Sequence, residues 1–256
     1  MNGFEISGTL LKKYTGSDPN PQIPANITDI GDGAFSGSYI ECITISQGVM
    51  AIGVEAFKEC DKLKSITLPQ GLISIGKNAF EYCVELESIA IPPSVTSIGS
   101  GAFFGCWRLK RVDIADLKAW CNINFDVSAN PLDEAHNLYL NNRPVTELVI
   151  PQGVTEIKDY AFEGFGGTSV GIPESVTAIG KEAFKRCINL KSITIPASVA
   201  VMEASVFESA KHVKIYCEAP RKPQGWHDWW NVKTVVGRKK VIFKTRAKTV
   251  WRHSGK

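Results

Sequence analysis

One phrase, I-P-x-x-V-x-x-I-G-x-x-A-F, recurs seven times in this 256-residue chain and constrains its fold more than any other feature. Each copy places a phenylalanine eleven residues after a proline position, which Ser46 occupies in one copy. The phenylalanines are Phe35, Phe57, Phe80, Phe103, Phe162, Phe184 and Phe207. Apart from one gap, they recur every 22 to 23 residues, which indicates a small supersecondary unit stacked on copies of itself.

The repeat at 63–83 illustrates the expected unit. Its first part alternates as a strand does, which points Ile66 into the core and its neighbours outward. Pro69 ends the strand because it has no N–H to donate. Gly76 is predicted to form a tight turn, and residues 78–83 are predicted to form a short helical turn. One such unit cannot bury enough apolar surface by itself, so stacking of units must supply the core.

With its strand included, the repeat reads L-x-x-I-x-I-P-x-x-V-x-x-I-G-x-x-A-F-x-x-C and resembles the BspA-like leucine-rich repeat proteins over residues 23–210, apart from one excursion. The resemblance implies an α/β repeat solenoid. This would be a right-handed superhelix with one sheet face and with short helices or turns on the opposite face. It also implies a surface or host-interaction role, and the motif carries no catalytic residues. We therefore expect a non-enzymatic protein without a cofactor.

The repeat pattern divides the chain into five segments. Residues 1–22 are predicted to be a capping hairpin, and residues 23–114 and 151–211 are predicted to be repeats. Residues 115–150 interrupt the pattern and are expected to form an irregular insertion. Residues 212–256 are expected to form a C-terminal cap with a basic, tryptophan-containing tail.

The insertion at 115–150 contains signals for two short helices and two strands. Asp116 and Asn130 stand where helix N-caps are expected. Residues 138–140 and 146–150 read as strands joined by a turn. This segment could be a structural joint that keeps the core continuous, or an insertion that carries binding residues. The sequence leaves both interpretations open.

The C-terminal segment combines tryptophans with positive charge. The tryptophans at 226, 229, 230 and 251 are expected to cover the open end of the core rather than to stack on a ligand. From Trp229 onward there are nine basic residues and no acidic ones. Lys239, Lys240 and Lys244 are candidate polyanion contacts. A capping strand with solubilising lysines explains the same residues, and nucleic acid is the less favoured partner.

The seven cysteines do not suggest a metal or redox site. Four of them follow the repeat phenylalanine by three residues, and the other repeats have Ser38, Phe165 and Ala210 in that position. A metal-binding row would not accept phenylalanine and alanine, whereas a buried packing position would. We predict reduced, structural thiols. The four histidines are scattered, without a catalytic or zinc motif around them.

Most outward strand positions carry small or hydroxylated side chains, which offer little anchoring area to a partner. Four positions differ and are the predicted partner-binding residues, namely Arg111, Asp113, Glu147 and Tyr216. The predicted partner is a protein of unknown identity. A glycan or host-surface ligand is the alternative, as in an adhesin.

The sequence and the resemblance point to different locations. Residues 1–10 have neither a basic nor an apolar stretch, so no signal peptide is visible, which favours the cytoplasm by default. No apolar run approaches the length of a membrane span. The family resemblance instead favours the cell surface or secretion.

Overall fold

The structure is a computed structural model that describes residues 3–231, 240–243 and 251–252. The chain divides into two compact units, Met1–Arg143 and Pro144–Lys256. Each unit is a solenoid in which successive repeats place equivalent short strands side by side in parallel. Neither helix of the described residues has the length and hydrophobicity that crossing a membrane requires.

The first unit contains thirteen strands and both helices that are found in the described residues. The strands are β1 (Phe4–Ser7), β2 (Leu10–Tyr14), β3 (Asp29–Ile30), β4 (Cys42–Thr44), β5 (Ala51–Ile52), β6 (Ser65–Thr67), β7 (Ser74–Ile75), β8 (Ser88–Ile91), β9 (Ser97–Ile98), β10 (Arg111–Ile114), β11 (Asn124–Phe125), β12 (Leu138–Leu140) and β13 (Arg143–Pro144), the last of which ends at the unit boundary. The helices are α1 (Leu117–Cys121) and α2 (Leu132–Ala135).

The second unit repeats the arrangement with nine strands in its described residues. They are β14 (Glu147–Val149), β15 (Glu156–Ile157), β16 (Ser169–Gly171), β17 (Ala178–Ile179), β18 (Ser192–Ile195), β19 (Val201–Met202), β20 (Lys214–Cys217), β21 (Lys240–Phe243) and β22 (Trp251–Arg252). One sheet has the order β14-β16-β18-β20-β21-β22, and the other has the order β15-β17-β19.

The strands of each repeat alternate between two sheets. In the first unit, the leading strands form the pair β4-β6 and the order β8-β10-β12, to which β13 adds next to β12. The second strands form the order β1-β2-β3-β5-β7-β9-β11, which begins with the N-terminal hairpin. The register brings equivalent residues together, so Ile52 lies opposite Ile75 and Ile75 lies opposite Ile98. We call the outward side of β4, β6, β8, β10 and β12, and of β14, β16, β18 and β20 in the second unit, the sheet face.

The repeat phenylalanines form the centre of each core. In the first unit, the rings of Phe57 and Phe80 stack at 5.3 Å between centroids, with only 7° between their planes. The stack continues from Phe80 to Phe103 at 5.2 Å. In the second unit, Phe184 stacks on Phe207 at 5.7 Å. Since these rings are at most 1% exposed, each repeat completes the burial of its neighbour's ring.

The segment after the second strand is a series of turns rather than the predicted helical turn. In the repeat at 63–83, the N–H of Asn78 donates to Ser100 of the next repeat, and the N–H of Phe80 donates to Ala102. Asn78 and Tyr82 have left-handed backbones, with φ of 55° and 57°. A helix cannot pass through a left-handed residue, so alternate N–H groups bond between repeats instead of within one.

Gly76 begins a tight turn, since its carbonyl oxygen accepts the N–H of Ala79 at 3.3 Å, but its φ is not in the left-handed region. A Cβ at this position would lie 2.6 Å from the backbone carbonyl of Gly53 in the preceding repeat. Glycine is therefore required by the close approach of two backbones. The left-handed positions, two residues before and two residues after the phenylalanine, hold glycine in only some repeats. Elsewhere they hold Glu55, Glu59, Asn78, Tyr82, Tyr160, Glu182, Arg186, Ser205 and Ser209.

The buried cysteine row makes a repeated hydrogen bond. The thiol of Cys60 donates to the carbonyl oxygen of Phe35 at 3.1 Å, and the thiol of Cys83 donates to that of Phe57 at 3.1 Å. Cys187 in the second unit donates to Phe162 at 3.3 Å. All seven cysteines are free thiols. The row therefore occupies a packing position and also bonds one repeat to the one before it.

Two strands within residues 115–150 extend the two kinds of sheet in the first unit. Asp116 caps α1 by accepting the N–H groups of Lys118 and Ala119, and Asn130 accepts the N–H of Leu132 at 2.9 Å just before α2. β11 pairs with β9, and β12 pairs with β10, both in parallel. Trp120 is 1% exposed. Strands β11 and β12 and the Trp120 side chain therefore extend the core of the first unit.

The two ends of the repeat arrays are covered by aromatic side chains. Strands β1 and β2 form an antiparallel hairpin, whose Tyr14 ring lies 5.4 Å from that of Phe35. In the second unit, Trp230 lies edge-to-face on Phe207 at 6.2 Å and contacts Trp226 at 5.0 Å. Trp229 is 68% exposed and takes no part in this cover.

Candidate functional site

A polar cluster surrounds Arg111 on the sheet face of the first unit. Its guanidinium donates to both carboxylate oxygens of Asp113, each at 2.6 Å, so the pair is bidentate. Nη2 also donates to Oδ1 of Asn142 at 2.9 Å. The guanidinium carbon lies 4.1 Å from the ring centroid of Tyr139. Four side chains from two neighbouring strands and the turn after them therefore hold one another in place.

The register of two strands brings this cluster together. Because β10 and β12 pair in parallel, Asp113 lies opposite Tyr139. Asp113 stands between two buried residues, and Leu138, just before Tyr139, is buried as well. Arg111 and Asp113 are two residues apart, so they point to the same side of β10. The turn after β12 has left-handed backbones at Asn141 and Asn142, with φ of 50° and 63°, which asparagine tolerates better than most residues.

The cluster favours the charged form of Arg111. The hydrogen bond to Asp113, followed by the charge of that carboxylate, raises the pKa of Arg111 above its ordinary value, although partial burial opposes this. About a third of the Arg111 side chain, 37%, remains exposed, and 23% of Asp113 does. The pair can therefore present donors and acceptors to a partner while it stays ordered.

A shallow groove adjoins the cluster. It has a volume of about 200 Å³ and is lined by Asp113, Asn141 and Asn142 together with the apolar residues Ala90, Ile91 and Pro92. An arginine or aromatic anchor next to an apolar depression is typical of protein interfaces. The site therefore has the chemistry of a contact surface.

The other two predicted sheet-face residues belong to the second unit and do not meet. Glu147 is exposed on β14, and Tyr216 is half-buried on β20. In the order β14-β16-β18-β20, three strand spacings, about 14 Å, separate the two strands, and Tyr216 lies two residues beyond the position level with Glu147. Each of them is thus a separate contact candidate, in contrast to Arg111 and Asp113.

The candidate polyanion residues are only partly covered by the structure. Lys239 and Lys244 lie outside the described residues, and Lys240 begins strand β21. The polyanion interpretation stays a prediction.

Two members of the cluster, Tyr139 and Asn142, were missed by the sequence analysis. The alternation in Leu138-Tyr139-Leu140 was a usable signal, because it points Tyr139 outward if the segment is a strand. No comparable signal marked Asn142. Its contact with Arg111 joins residues 31 positions apart in the sequence.

The remaining polar groups do not form a metal site in the part of the chain that is described. Within residues 3–231, no three His, Cys, Asp or Glu side chains converge as metal ligands would. Nδ1 of His227 accepts the backbone N–H of Trp229 at 3.0 Å, and Asp228 pairs with Lys222 at 2.6 Å. Both contacts are local and stabilise the end of the second unit.

Comparison with protein families identifies one match. The family model described as "BspA type Leucine rich repeat region (6 copies)" matches residues 13–128 and 135–219. It thus covers most of the chain, including all but six residues of the insertion at 115–150. None of the curated proteins compared with the chain matches it.

Solved structures of bacterial leucine-rich repeat proteins are similar to the chain. The T. pallidum leucine-rich repeat protein is 26% identical to this chain, with a TM-score of 0.52. The match covers 71% of this chain and 82% of that one. A leucine-rich repeat protein from Bacteroides capillosus is 31% identical with a TM-score of 0.40, over 44% and 93%. A leucine-rich cell surface protein from Faecalibacterium prausnitzii is 21% identical with a TM-score of 0.34, over 81% and 83%.

Proposed function

The chain belongs to the BspA-type leucine-rich repeat family, and from this premise we propose that it is a non-catalytic scaffold that binds a protein partner through the sheet faces of its two units. One observation carries the proposal. Arg111 is held by Asp113, Asn142 and the ring of Tyr139, and it remains partly exposed beside an apolar groove. Such an anchor suits a protein interface.

The physical advantage of this arrangement is rigidity. Association costs free energy whenever side chains must be ordered at the interface, about 0.5–1.5 kcal/mol for each long side chain. The bidentate pair and the contact with Tyr139 already order Arg111 before a partner arrives. The in-register core beneath β10 and β12 keeps the backbone in place. Binding therefore loses little additional entropy at this site.

The proposal assigns the main contact to Arg111 and Asp113 and separate, weaker contacts to Glu147 and Tyr216. The first pair has a groove beside it, whereas Glu147 and Tyr216 stand apart on strands with small neighbours. The right-handed superhelix implied by the family remains part of the proposal.

The test is a pull-down from an extract of the native cell, with a double variant at the cluster. Arg111→Ala with Asp113→Ala should abolish capture of a specific protein. The matched control is Lys64→Ala with Glu41→Ala, which removes another exposed ion pair, at 2.8 Å, between neighbouring repeats. Equal capture by wild type and both variants would refute the sheet-face contact at Arg111.

A glycan or host-surface ligand is the alternative, and an adhesin-like role would need exposed aromatic rings on the sheet face. Tyr139 and Tyr216 are the aromatic residues that the described strands present there, and Arg111 covers one face of the Tyr139 ring. This favours a protein partner. A surface or secreted location is proposed from the family membership, and fractionation of cells with detection of the chain on the outer surface tests it.

A further inference from the structure

A second surface of the first unit exposes aromatic side chains, and it lies on the turns rather than on the sheet face. Tyr39 is 81% exposed, Trp107 is 71% exposed and Phe104 is 49% exposed. Tyr82 lies among them, with its ring centroid 5.7 Å from that of Phe104 and 6.0 Å from that of Trp107, both edge-to-face. Single exposed apolar residues are ordinary, but a contiguous aromatic surface indicates an interaction site.

Part of this surface is a groove, which we call the turn groove. It has a volume of about 460 Å³ and is lined by Tyr39, Tyr82, Val84, Glu59 and Asp61 together with Gly37 and Ser38. Volumes of roughly 300–1,000 Å³ are typical of ligand pockets. The groove is large enough to hold an extended side chain.

The fold does not require the side chains that line the turn groove. Tyr82 and Glu59 have left-handed backbones, with φ of 57° and 58°. Equivalent positions in other repeats hold Gly37, Gly105 and Gly164. Glycine avoids the steric cost that a tyrosine meets in this conformation. Tyr82 is therefore explained by what its ring does at the surface and not by what the turn needs.

The charge of the turn groove is negative. Among the described residues, neither Glu59 nor Asp61 forms an ion pair. Of the neighbouring lysines, Lys58 pairs with Glu81 at 3.0 Å and with Glu55 at 3.6 Å, and the exposed Lys62 is not among the residues that line the groove. Carboxylates only accept hydrogen bonds, and aromatic faces attract cations. The groove thus complements a group that donates hydrogen bonds and carries positive charge.

We propose that the turn groove binds a lysine or arginine side chain of an extended, basic segment of a partner protein. The ammonium or guanidinium group pairs with Glu59 and Asp61, and its aliphatic stem lies against Tyr39 and Tyr82. A neutral glycan would leave both carboxylates without a counter-charge. This site is separate from the sheet-face cluster at Arg111, so the test of one proposal does not decide the other.

The test measures binding of fluorescent octalysine to the full chain by anisotropy, with acetylated octalysine as the uncharged counterpart. Wild type should bind octalysine and not the acetylated peptide. Glu59→Gln with Asp61→Asn should weaken binding about tenfold or more, and Tyr39→Ala should weaken it about threefold. Tyr82→Gly should also weaken binding about threefold. Because glycine relieves the steric strain of the left-handed backbone at this position, the variant should keep the fold.

The control is Glu156→Gln with Glu174→Gln, which removes the same charge from exposed positions of the second unit and should leave the affinity unchanged. An equal loss in this control would show attraction by net charge alone and would overturn the proposal. Undiminished binding by Tyr39→Ala and Tyr82→Gly would overturn it too. So would displacement of octalysine by neutral chitotetraose, or self-association of wild type that Tyr39→Ala abolishes. Arg111→Ala should leave octalysine binding intact, which separates this test from that of the sheet face.

Discussion

The thiol of Cys83 donates a hydrogen bond to the carbonyl oxygen of Phe57, 3.1 Å away in the preceding repeat. Cys106 makes the same bond to Phe80 at 3.2 Å. Both thiols are fully buried. The cysteine row thus does more than fill space, because each member replaces a bond to water that the carbonyl would lose on stacking.

We predict that one of the seven thiols reacts rapidly in the native protein. Cys42 is exposed on β4, whereas the others are buried. Burial raises the pKa of Cys121 and of Cys217 to about 12, so at neutral pH they are almost entirely unreactive thiols. The neighbouring thiol of Cys83 lowers the pKa of Cys60, but Cys60 is 0% exposed and no reagent reaches it.

Titration with dithiodipyridine should therefore show one fast thiol before unfolding and seven in denaturant. Cys42→Ser should remove the fast reaction. Rapid reaction of several thiols in the native Cys42→Ser protein would contradict the burial of the cysteine row.

Phe80→Ala should destabilise the first unit severely. The ring is stacked between Phe57 and Phe103, at 5.3 Å and 5.2 Å, and its loss leaves a cavity that neighbours on both sides line. The expected loss of unfolding free energy is about 3–5 kcal/mol, measured by urea denaturation. Phe80→Leu should lower the unfolding free energy by less than Phe80→Ala does. Phe104→Ala, at a residue 49% exposed, is the control and should cost under about 1 kcal/mol.

Gly76→Ala should destabilise although its backbone is not left-handed, whereas Glu55→Gly should be nearly neutral. The methyl group that the first substitution adds would meet the backbone of Gly53 at 2.6 Å and would force the two repeats apart. Overpacking of this kind costs about 1–3 kcal/mol. At Glu55, with φ of 55°, glycine relieves steric strain and adds chain entropy to the unfolded state, and the two effects offset each other to within about 1 kcal/mol. Thermal unfolding of both variants measures the contrast, and equal melting temperatures would refute it.

Lys185→Met should destabilise the second unit by about 3–5 kcal/mol, because it removes the amine beside a buried carboxylate. Nζ of Lys185 lies 3.3 Å from Glu163, which is 2% exposed, and 2.6 Å from Glu182. Lys64→Met is the control, since its pair with Glu41 is about half exposed and should contribute under about 1 kcal/mol. Urea denaturation at neutral pH measures the unfolding free energy of both variants. Similar losses would show that the buried network stabilises the protein no more than the exposed pair does.

The same lysine should make stability depend on alkaline pH. Burial, the largest effect, lowers the pKa of Lys185, but the hydrogen bond to Glu182 and the charges of Glu163 and Glu182 together raise it above its ordinary value. The unfolded value is about 10.4. Because the folded-state pKa is the higher one, the stabilisation is complete below about pH 10 and is lost as the pH rises through the folded-state pKa. The difference in unfolding free energy between wild type and Lys185→Met should therefore be constant from neutral pH to about pH 9. It should become smaller above about pH 11.

The repeat pattern was enough to predict the solenoid and its core. Identical apolar residues at a constant period can be buried together only if the repeats stack in register, and the structure stacks Phe57, Phe80 and Phe103 in this way. Strand alternation likewise predicted which side chains of β10 face outward, because its period of two is independent of distant residues.

Features that depend on contacts between repeats could not be predicted from one repeat alone. The left-handed positions include Glu55 and Tyr82, which carry no local signal for that backbone, since the bonds that impose it come from the next repeat. The need for glycine at position 76 comes from the backbone of Gly53 in the preceding repeat, which a single repeat does not reveal.

What the sequence alone determined is the stacked core, because burial of a periodic apolar row has a single solution. What only the tertiary structure decided is which polar and aromatic residues meet at the surface. Arg111 reaches Asn142 across 31 residues, and Tyr39 shares a groove with Tyr82 of a repeat two turns away. Surface side chains are free of the burial constraint, so their positions follow from how the turns stack rather than from the repeat pattern.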